Sequence, residues 1–469
     1  MPKSIFRALT AAEKKVFIAS LIVFLISLLL RTASAFEAHT EKVPSYGGEY
    51  KEGFIGQPAF INPILAGADI DRYIAALLYK PLGSIAESIQ TESPPNEYKI
   101  FTVKIKQNLV WEDNTPLNAD DVIFTLQTIQ DENANSPLYH SWRGVIAERV
   151  SEIQVKFILR NPYVFFSGSL KGLPVIPRHI FGEIPSANLK LSSYNLEPIG
   201  NGPYKFEGFK KRRDGFINEY RLTVNENYNG ERPFIRKIIF RFYKDENERI
   251  DSFNNRRVDG LGGIDPKNLA QIKTKHILHQ TPMPRYYAVF FNQNLKPELK
   301  NINLRLALNR AVDKNYLIEN IFGGFAVPTN GPIVPGFPGY DASAFTETGY
   351  DPEKAKQAIG ELKLKEDFAL NLIVPQVEFL VKTAEFIKSA WENTLGIKTN
   401  LITLSPSDVV NEVLKSRNYE AVLFGNILQS NPDLFSFWHS SERFHPGLNL
   451  ALYSNAKADQ LIEEIRQTK

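Results

Sequence analysis

The chain has 469 residues, 43% of them hydrophobic and 23% charged, enough for two or three domains with a sizeable core, and this excludes a mainly disordered chain, a fibrous repeat and a polytopic membrane protein. It contains no cysteine, so disulfides, thiolate metal sites, haem-thioether attachment, a cysteine nucleophile and a lipid-modified N-terminal cysteine are all excluded. Residues 1–35 hold five basic residues against one acidic, net +4, which leaves 50 basic and 51 acidic groups in the body and argues against nucleic acid as a partner.

Residues 16–30 form a run of 15 uncharged residues behind Lys14 and Lys15. One reading is a signal peptide, with Ala33-Ser34-Ala35 as an A-x-A cleavage site before Phe36. The other is an uncleaved anchor. A spanning helix usually needs about 20 apolar residues, so the run is short unless Arg31 snorkels and residues 32–36 complete it. A buried core helix is the third possibility. The anchor is favoured, because Arg31 sits where a cleavable peptide avoids charge and no cysteine is available for lipid. Either of the first two readings keeps the positive flank inside and the body outside the cytoplasm.

Residues 41–48 read as a linker. Phe101, Val103 and Ile105 alternate with Thr102, Lys104 and Lys106, which predicts a half-buried strand, and Ile153, Val155 and Phe157 alternate in the same way. Between them Asn118 is placed to cap a helix with Asp121 at its third position, and Val122, Leu126 and Ile129 form the apolar stripe. Thr281-Pro282-Met283-Pro284 imposes an extended passage, either a crossover between two lobes or a surface loop. Residues 366–424 predict a βαβαβ unit. A strand at 368–374 precedes Leu380, Ala384, Ile387 and Trp391 at helical spacing, with Gly396 as C-cap. Strands at 397–402 and 420–424 flank a helix at 409–414. Such a unit makes a parallel sheet with right-handed crossovers. Ligands gather outside the carboxyl ends of such strands, so the loop 425–433 is a binding candidate on physics alone.

The catalytic patterns H-E-x-x-H, Walker A, G-x-S-x-G and complete G-x-G-x-x-G do not occur in the sequence. Pro203, directly after Gly200-Asn201-Gly202, forbids a phosphate-cradling helix start. His276 and His279 are close but lack a third ligand, so neither a metal nor another cofactor is expected. Carboxylates cannot be paired from sequence, and a two-carboxylate hydrolase stays open as an alternative. Aromatic residues make up 12%; most must be core, and some tyrosines and tryptophans suit a cleft.

Six segments, in order along residues 50–460, resemble the family 5 extracellular solute-binding proteins, the dipeptide, oligopeptide and nickel type that serve ABC importers. Trp111-Glu112-Asp113-Asn114-Thr115-Pro116-Leu117-Asn118-Ala119-Asp120-Asp121-Val122 is similar to the family's W-x-D-G-x-P-(L/F)-T-A-x-D-V, with asparagines that tolerate the same turn and cap. Leu173-Pro174-Val175-Ile176-Pro177-Arg178-His179 resembles P-x-x-P-(K/R)-H. Pro198-Ile199-Gly200-Asn201-Gly202-Pro203-Tyr204 resembles P-I-G-T-G-P-Y. Asn225-Glu226-Asn227-Tyr228-Asn229-Gly230-Glu231-Arg232-Pro233 is the fourth. Phe291-Asn292 with residues 303–313, an amphipathic helix that turns Leu304, Leu308 and Ala311 inward, is the fifth. Asn431-Pro432-Asp433-Leu434-Phe435 with Gly447-Leu448-Asn449 and Tyr453 is the last.

The resemblance implies an α/β, periplasmic-binding-protein-like fold of type II, two lobes with a central cleft plus an inserted subdomain. Residues 36–75 and 185–284 would form a discontinuous lobe one, 76–184 the inserted subdomain and 285–469 lobe two, with the C-terminal return to lobe one missing. The motif segments are expected to be scaffold. The implied function is capture of a peptide or similar small polar solute, without catalysis, and delivery to an ABC permease and its ATPase subunits. A receptor or chaperone that keeps the fold without transport is a further alternative, and a monomer is expected. Peptide-binding relatives often carry an aspartate a few residues before the Pro-Asp step, where it pairs with the ligand's free amine. Here the nearest match is Gln429, and Asp433 is expected to cap the next turn. The ligand-binding candidates are Asn426, Gln429 and Trp438 from lobe two and Asn201 and Tyr204 from lobe one.

Overall fold

Helix α1 (Ala11–His39) starts at a capping box, in which the Thr10 hydroxyl accepts from Glu13 N at 3.3 Å and the Glu13 carboxylate accepts from Thr10 N at 2.8 Å. It continues through Ala33-Ser34-Ala35, and its residues 12–39 are long and apolar enough to cross a membrane. The helix thus carries past Arg31 through residues 32–36 without a break. The computed structural model describes residues 10–41, 43–92, 99–281, 283, 285–337, 339–344, 349–428 and 433–467. The chain divides into one unit of Met1–Glu49 with Pro233–Arg236 and a second of Tyr50–Arg232 with Lys237–Lys469. In the first, Tyr46 stacks on Phe234 with ring centroids 4.8 Å apart, and Gly47 N donates to Phe234 O at 2.8 Å. Strand β1 (Gly47–Ile55) begins there, two residues inside the expected linker.

In the second unit, α2 (Asp69–Leu78) leads into an antiparallel sheet of β2 (Ala86–Thr91), β3 (Ile100–Ile105), β4 (Ile146–Ser151) and β5 (Gln154–Ile158), in the order β2-β3-β5-β4. The inward half of the alternation read from sequence holds, with Phe101, Val103 and Ile105 inside, opposite Phe157 and Val155; Thr102, expected on the outer face, is buried as well, bonded to Glu92. Helix α3 (Ala119–Gln130) lies between β3 and β4, capped by Asn118 and Asp121 as expected, with Val122, Leu126 and Ile129 buried.

The chain then returns to β1 through β6 (Tyr204–Lys211), β7 (Ile217–Val224), β8 (Ile235–Tyr243) and β9 (Gly260–Leu261), in the order β6-β7-β8-β1-β9. Helix α4 (Glu246–Asn254) follows β8 and brings Arg249 against Gly53 of β1. One apolar core, including Trp111, Phe157, Tyr220 and Phe240, serves both sheets.

The third sheet consists of β10 (Arg285–Phe291), β11 (Ala369–Pro375), β12 (Lys398–Leu404) and β13 (Ala421–Ile427), in the order β10-β13-β11-β12. Its three later strands are the expected parallel βαβαβ unit, and β10 adds an antiparallel edge. Helices α5 (Ile302–Arg310), α6 (Pro352–Glu361) and α7 (Glu378–Leu395) cover the face that bears Leu372, Val374 and Leu423. There Trp391 Nε1 donates to Leu308 O at 2.9 Å, and Gly396 ends α7 at φ 68°. The opposite face, with Tyr286, Phe290, Ile373 and Val422, packs against Val409, Val413 and Phe437. The helix expected at 409–414 is a π-helical turn, and α8 (Ala456–Gln467) follows later. Pro282 and Pro284 of the expected crossover lie outside the described residues; residues 275–281 are exposed and irregular.

Four segments remote in sequence meet where α2 ends. Gly202 N donates to Leu78 O at 2.7 Å. A Cβ on Gly200 would lie 2.0 Å from Leu78 O, and one on Gly202 would lie 2.4 Å from Leu77 O, so only glycine allows this approach. Gly200 N donates to the Glu112 carboxylate at 2.9 Å, and Glu112 N donates to Gly200 O at 3.0 Å. Asn225 Nδ2 donates to Gly202 O at 2.9 Å, and Asn227 Nδ2 reaches Trp111 O, Glu112 O and Asn114 Oδ1 at 3.3, 3.2 and 3.0 Å. Asn114 is left-handed at φ 70°. Asp121 also accepts from Arg178 N at 2.8 Å, and His179 pairs with Asp113 at 2.8 Å.

Replacing Gly200 by Ala should therefore destabilise the protein by roughly 3 kcal/mol or more, because the methyl meets a backbone carbonyl that cannot rotate away. Gly168→Ala, in the short helix Phe166–Gly172 with nothing within 4 Å of the new Cβ, should be neutral or stabilising by up to about 1 kcal/mol. Urea unfolding of both variants measures the contrast.

Candidate functional site

At one end of the third sheet the carboxyl end of β13 lies opposite the amino end of β10, with Arg285 paired to Ile427 and Tyr286 to Asn426. Strand alternation turns Asn426 and Tyr286 to the same face. Asn426 is buried there, and its Nδ2 donates to the Tyr286 hydroxyl at 3.1 Å. Burial raises the Tyr286 phenol pKa, and the bond from Asn426 partly opposes that. Trp438, at the end of the helical turn Phe435–Trp438, is half-buried in the same cluster, edge-on to Tyr453 at 6.2 Å. Its Nε1 is buried and has no hydrogen-bond partner among the described residues. Gln429 lies outside the described residues.

Asp433, just beyond that segment, caps the turn as expected: its Oδ1 accepts from Phe435 N at 3.0 Å. Its Oδ2 lies 3.4 Å from Arg466 Nε. The Arg466 guanidinium is held between the rings of Phe435 at 4.2 Å and Tyr163 at 4.8 Å, and Val164 N donates to Arg466 O at 2.8 Å. Lys267 is bonded to Glu378 at the start of α7. Both contacts join chain before residue 284 to chain after it.

Asn201 and Tyr204 are both buried, beside the glycines at the end of α2. Asn201 Oδ1 accepts from Lys80 N at 2.8 Å, and its Nδ2 lies 3.5 Å from Lys80 O. The cavity it lines with Lys80, Lys106 and Asn227 measures about 30 Å³, room for water but not for a peptide. Tyr204 opens β6 opposite Val224, and burial raises its phenol pKa. Asn201 and Tyr204 are close in sequence at the start of β6, Asn426 is bonded to Tyr286, and Trp438 belongs to the apolar cluster that includes Tyr286; no hydrogen bond among the described residues joins Asn201 or Tyr204 to Asn426 or Trp438. Sequence reasoning missed Tyr286, Tyr163 and Arg466. The aromatic alternation of Arg285–Phe291 could have flagged Tyr286; the other two are brought in by packing alone.

Glu112, under the same glycines, has its carboxyl pKa pushed up to about 7. Burial is the main cause; the bond from Gly200 N and the Lys205 charge oppose it, and Asp113 adds to it. Tyr79 nearby is fully buried, with a hydroxyl that lacks a hydrogen-bond partner among the described residues and a raised pKa from burial and then from Glu112.

A family model described as bacterial extracellular solute-binding proteins, family 5 Middle, matches residues 80–444. The oligopeptide-binding protein AppA of Bacillus subtilis is 26% identical over 461 residues, 90% of this chain and 81% of that protein. The dipeptide-binding protein of Escherichia coli is 24% identical over 401 residues, 79% of this chain and 73% of that protein. Among solved structures, the ABC transporter substrate binding protein CtaP of Listeria monocytogenes superposes with a TM-score of 0.78 at 27% identity, covering 91% of this chain and 87% of that one.

A carboxyl whose folded pKa lies above its unfolded value stabilises the fold below the unfolded value and loses that contribution as pH rises through the folded one. For Glu112 the window runs from about 4.5 to about 7. Across it the protein should lose up to about 3 kcal/mol from this group. Glu112→Gln, which can still accept from Gly200 N, should flatten that part of the profile. Urea unfolding of both proteins from pH 4.5 to 8 measures the difference.

Proposed function

The chain belongs to the family 5 bacterial extracellular solute-binding proteins and has their two-lobed α/β fold, and we propose that it captures a peptide or similar small polar solute outside the cytoplasm and hands it unaltered to an ABC permease. In this reading residues 36–75 and 185–284 form lobe one, 76–184 an inserted subdomain and 285–469 lobe two. The lobes close about the passage near 281–284, and closure shifts an open–closed equilibrium in favour of the loaded form. The protein acts as a monomer, tethered by α1.

The observation that carries the reading is the polar pair at the carboxyl end of β13. Asn426 keeps a carbonyl oxygen while its amide donates to Tyr286, and the buried indole N–H of Trp438, whose ring belongs to the apolar cluster that includes Tyr286, has no protein partner among the described residues. A buried donor without a partner costs free energy, and a peptide carbonyl would supply one. Asn426, Gln429 and Trp438 are the solute contacts from lobe two. Asn201 and Tyr204 act from lobe one, with Asn201 positioning the Lys80 backbone, to which its amide is already committed. Arg466, between Phe435 and Tyr163, joins lobe two to the inserted subdomain, and Lys267 with Glu378 joins lobe one to lobe two; in this reading both contacts favour the closed form.

Gln429 offers an amide where relatives with free-amine capture carry a carboxylate, so this chain does not select for a charged N-terminus. Isothermal titration with matched peptides tests this. Wild type should bind free and N-acetylated forms with similar affinity, and Gln429→Asp should raise affinity for the free form about tenfold through a charge-assisted bond. A wild type that binds neither form, or only the free one, contradicts the reading.

A further inference from the structure

The small cavity beside Asn201 has a lining that solute capture does not use. It measures about 30 Å³ and is lined by residues of the segment 80–117 together with Asn201 and residues 227–229. Lys80 and Lys106 are both among them, and no aspartate or glutamate is. The Lys106 ammonium donates to Ser84 O at 2.9 Å and belongs to no ion pair among the described residues, which leaves two of its N–H groups. The Lys80 ammonium has neither a hydrogen bond nor an ion pair among the described residues. Both lysines are half-buried. Asn201 is only 7% exposed; its Oδ1 accepts from Lys80 N at 2.8 Å, and its Nδ2 reaches Lys80 O at 3.5 Å, the outer limit of a hydrogen bond. At least one of the two amide hydrogens is therefore unused.

What this lining has left to offer is donors, two of them on like charges. Two ammonium groups on one small, half-buried cavity repel each other, and burial weakens the screening that would relieve them. Water satisfies the donors and leaves the charge unbalanced. An anion satisfies both, because charge-assisted hydrogen bonds are shorter and about twice as strong as neutral ones. Size narrows the choice. About 30 Å³ is the share of one molecule in liquid water, so a halide ion fits, whereas sulfate, phosphate and a sugar acid are too large. An ion held here touches segments that are about 100 residues apart in the chain, Lys80 and Lys106 on one side and Asn201 on the other.

We infer that this cavity is a binding site for chloride or an anion of similar size, held by the Lys80 and Lys106 ammonium groups and the Asn201 amide, and that the bound anion fastens the segment 80–117 to Asn201 and residues 227–229. Urea unfolding of the full chain in nonionic detergent tests it, at constant pH and ionic strength, with sodium chloride, gluconate or sulfate. No peptide is present, so the outcome is independent of solute capture. General salt effects favour the folded state more with sulfate than with chloride, and a site that admits only the smaller ion reverses that order. Wild type should gain about tenfold in its folded-to-unfolded ratio when chloride replaces gluconate at ten times the dissociation constant. Lys80→Met, which removes a charge that no protein group pairs with among the described residues, should lose that gain and restore sulfate above chloride. Crystals grown in bromide give a reading that needs no variant, an anomalous peak in the cavity. Equal ratios in chloride and gluconate, a chloride gain that survives in Lys80→Met, or a cavity without bromide overturns the site and leaves water as its occupant.

Discussion

The closest constraint in the molecule is the approach of two glycines to the end of one helix. Gly200 and Gly202 press against the carbonyls of Leu77 and Leu78, where any side chain would collide. From that point the backbone of β6 departs in one direction and the Trp111 turn is held in another, through reciprocal bonds between Glu112 and Gly200. Asn225 and Asn227 close the arrangement from the end of β7. These chain passages share one set of hydrogen bonds, while the Tyr79 hydroxyl, buried beside them, has no partner among the described residues. The two sheets on either side need this junction to share a core, because it sets the angle at which the chain leaves and re-enters the first sheet. The segments that resemble the family most strongly are those that build it, so the resemblance reports a scaffold.

The third sheet, where we place the solute, is organised differently. The third sheet has apolar packing on both faces, and its buried polar pair sits at the carboxyl end of β13. A peptide that enters such a place exchanges water for backbone-like donors and acceptors. The net gain per bond is modest, about 1 kcal/mol, so affinity depends on several bonds formed together and on the lobes already being rigid. The proposed capture requires no chemistry: an asparagine amide and a tryptophan indole can form hydrogen bonds to a solute, and neither transfers a proton usefully near neutral pH.

Much of this was legible from residues alone. Alternation in Phe101–Ile105 and the spacing of Leu380, Ala384, Ile387 and Trp391 read directly, since burial on one face leaves a period in the sequence. The Asn118–Asp121 cap and the Gly396 stop read as well, because each satisfies a local backbone requirement. What did not read was register and remote contact. The antiparallel edge β10 has the same local pattern as a parallel strand, and its pairing of Tyr286 with Asn426 comes only from the assembled sheet. Asn201 has the look of a ligand residue in a glycine-rich loop, but its partner is the Lys80 backbone, 121 residues away in the chain. Arg466 has no local signature at all; one of the two rings that hold it, Tyr163, lies about 300 residues earlier in the chain.

The central claim is that this protein holds a solute and leaves it chemically intact. Purified protein should be denatured and the released small molecules identified by mass spectrometry, before and after prolonged incubation with added peptides. The account predicts bound peptides or similar polar solutes released whole, in near-stoichiometric amount and unchanged by incubation. Repeated preparations that release nothing and retain no added peptide, or that return cleaved products, would contradict it.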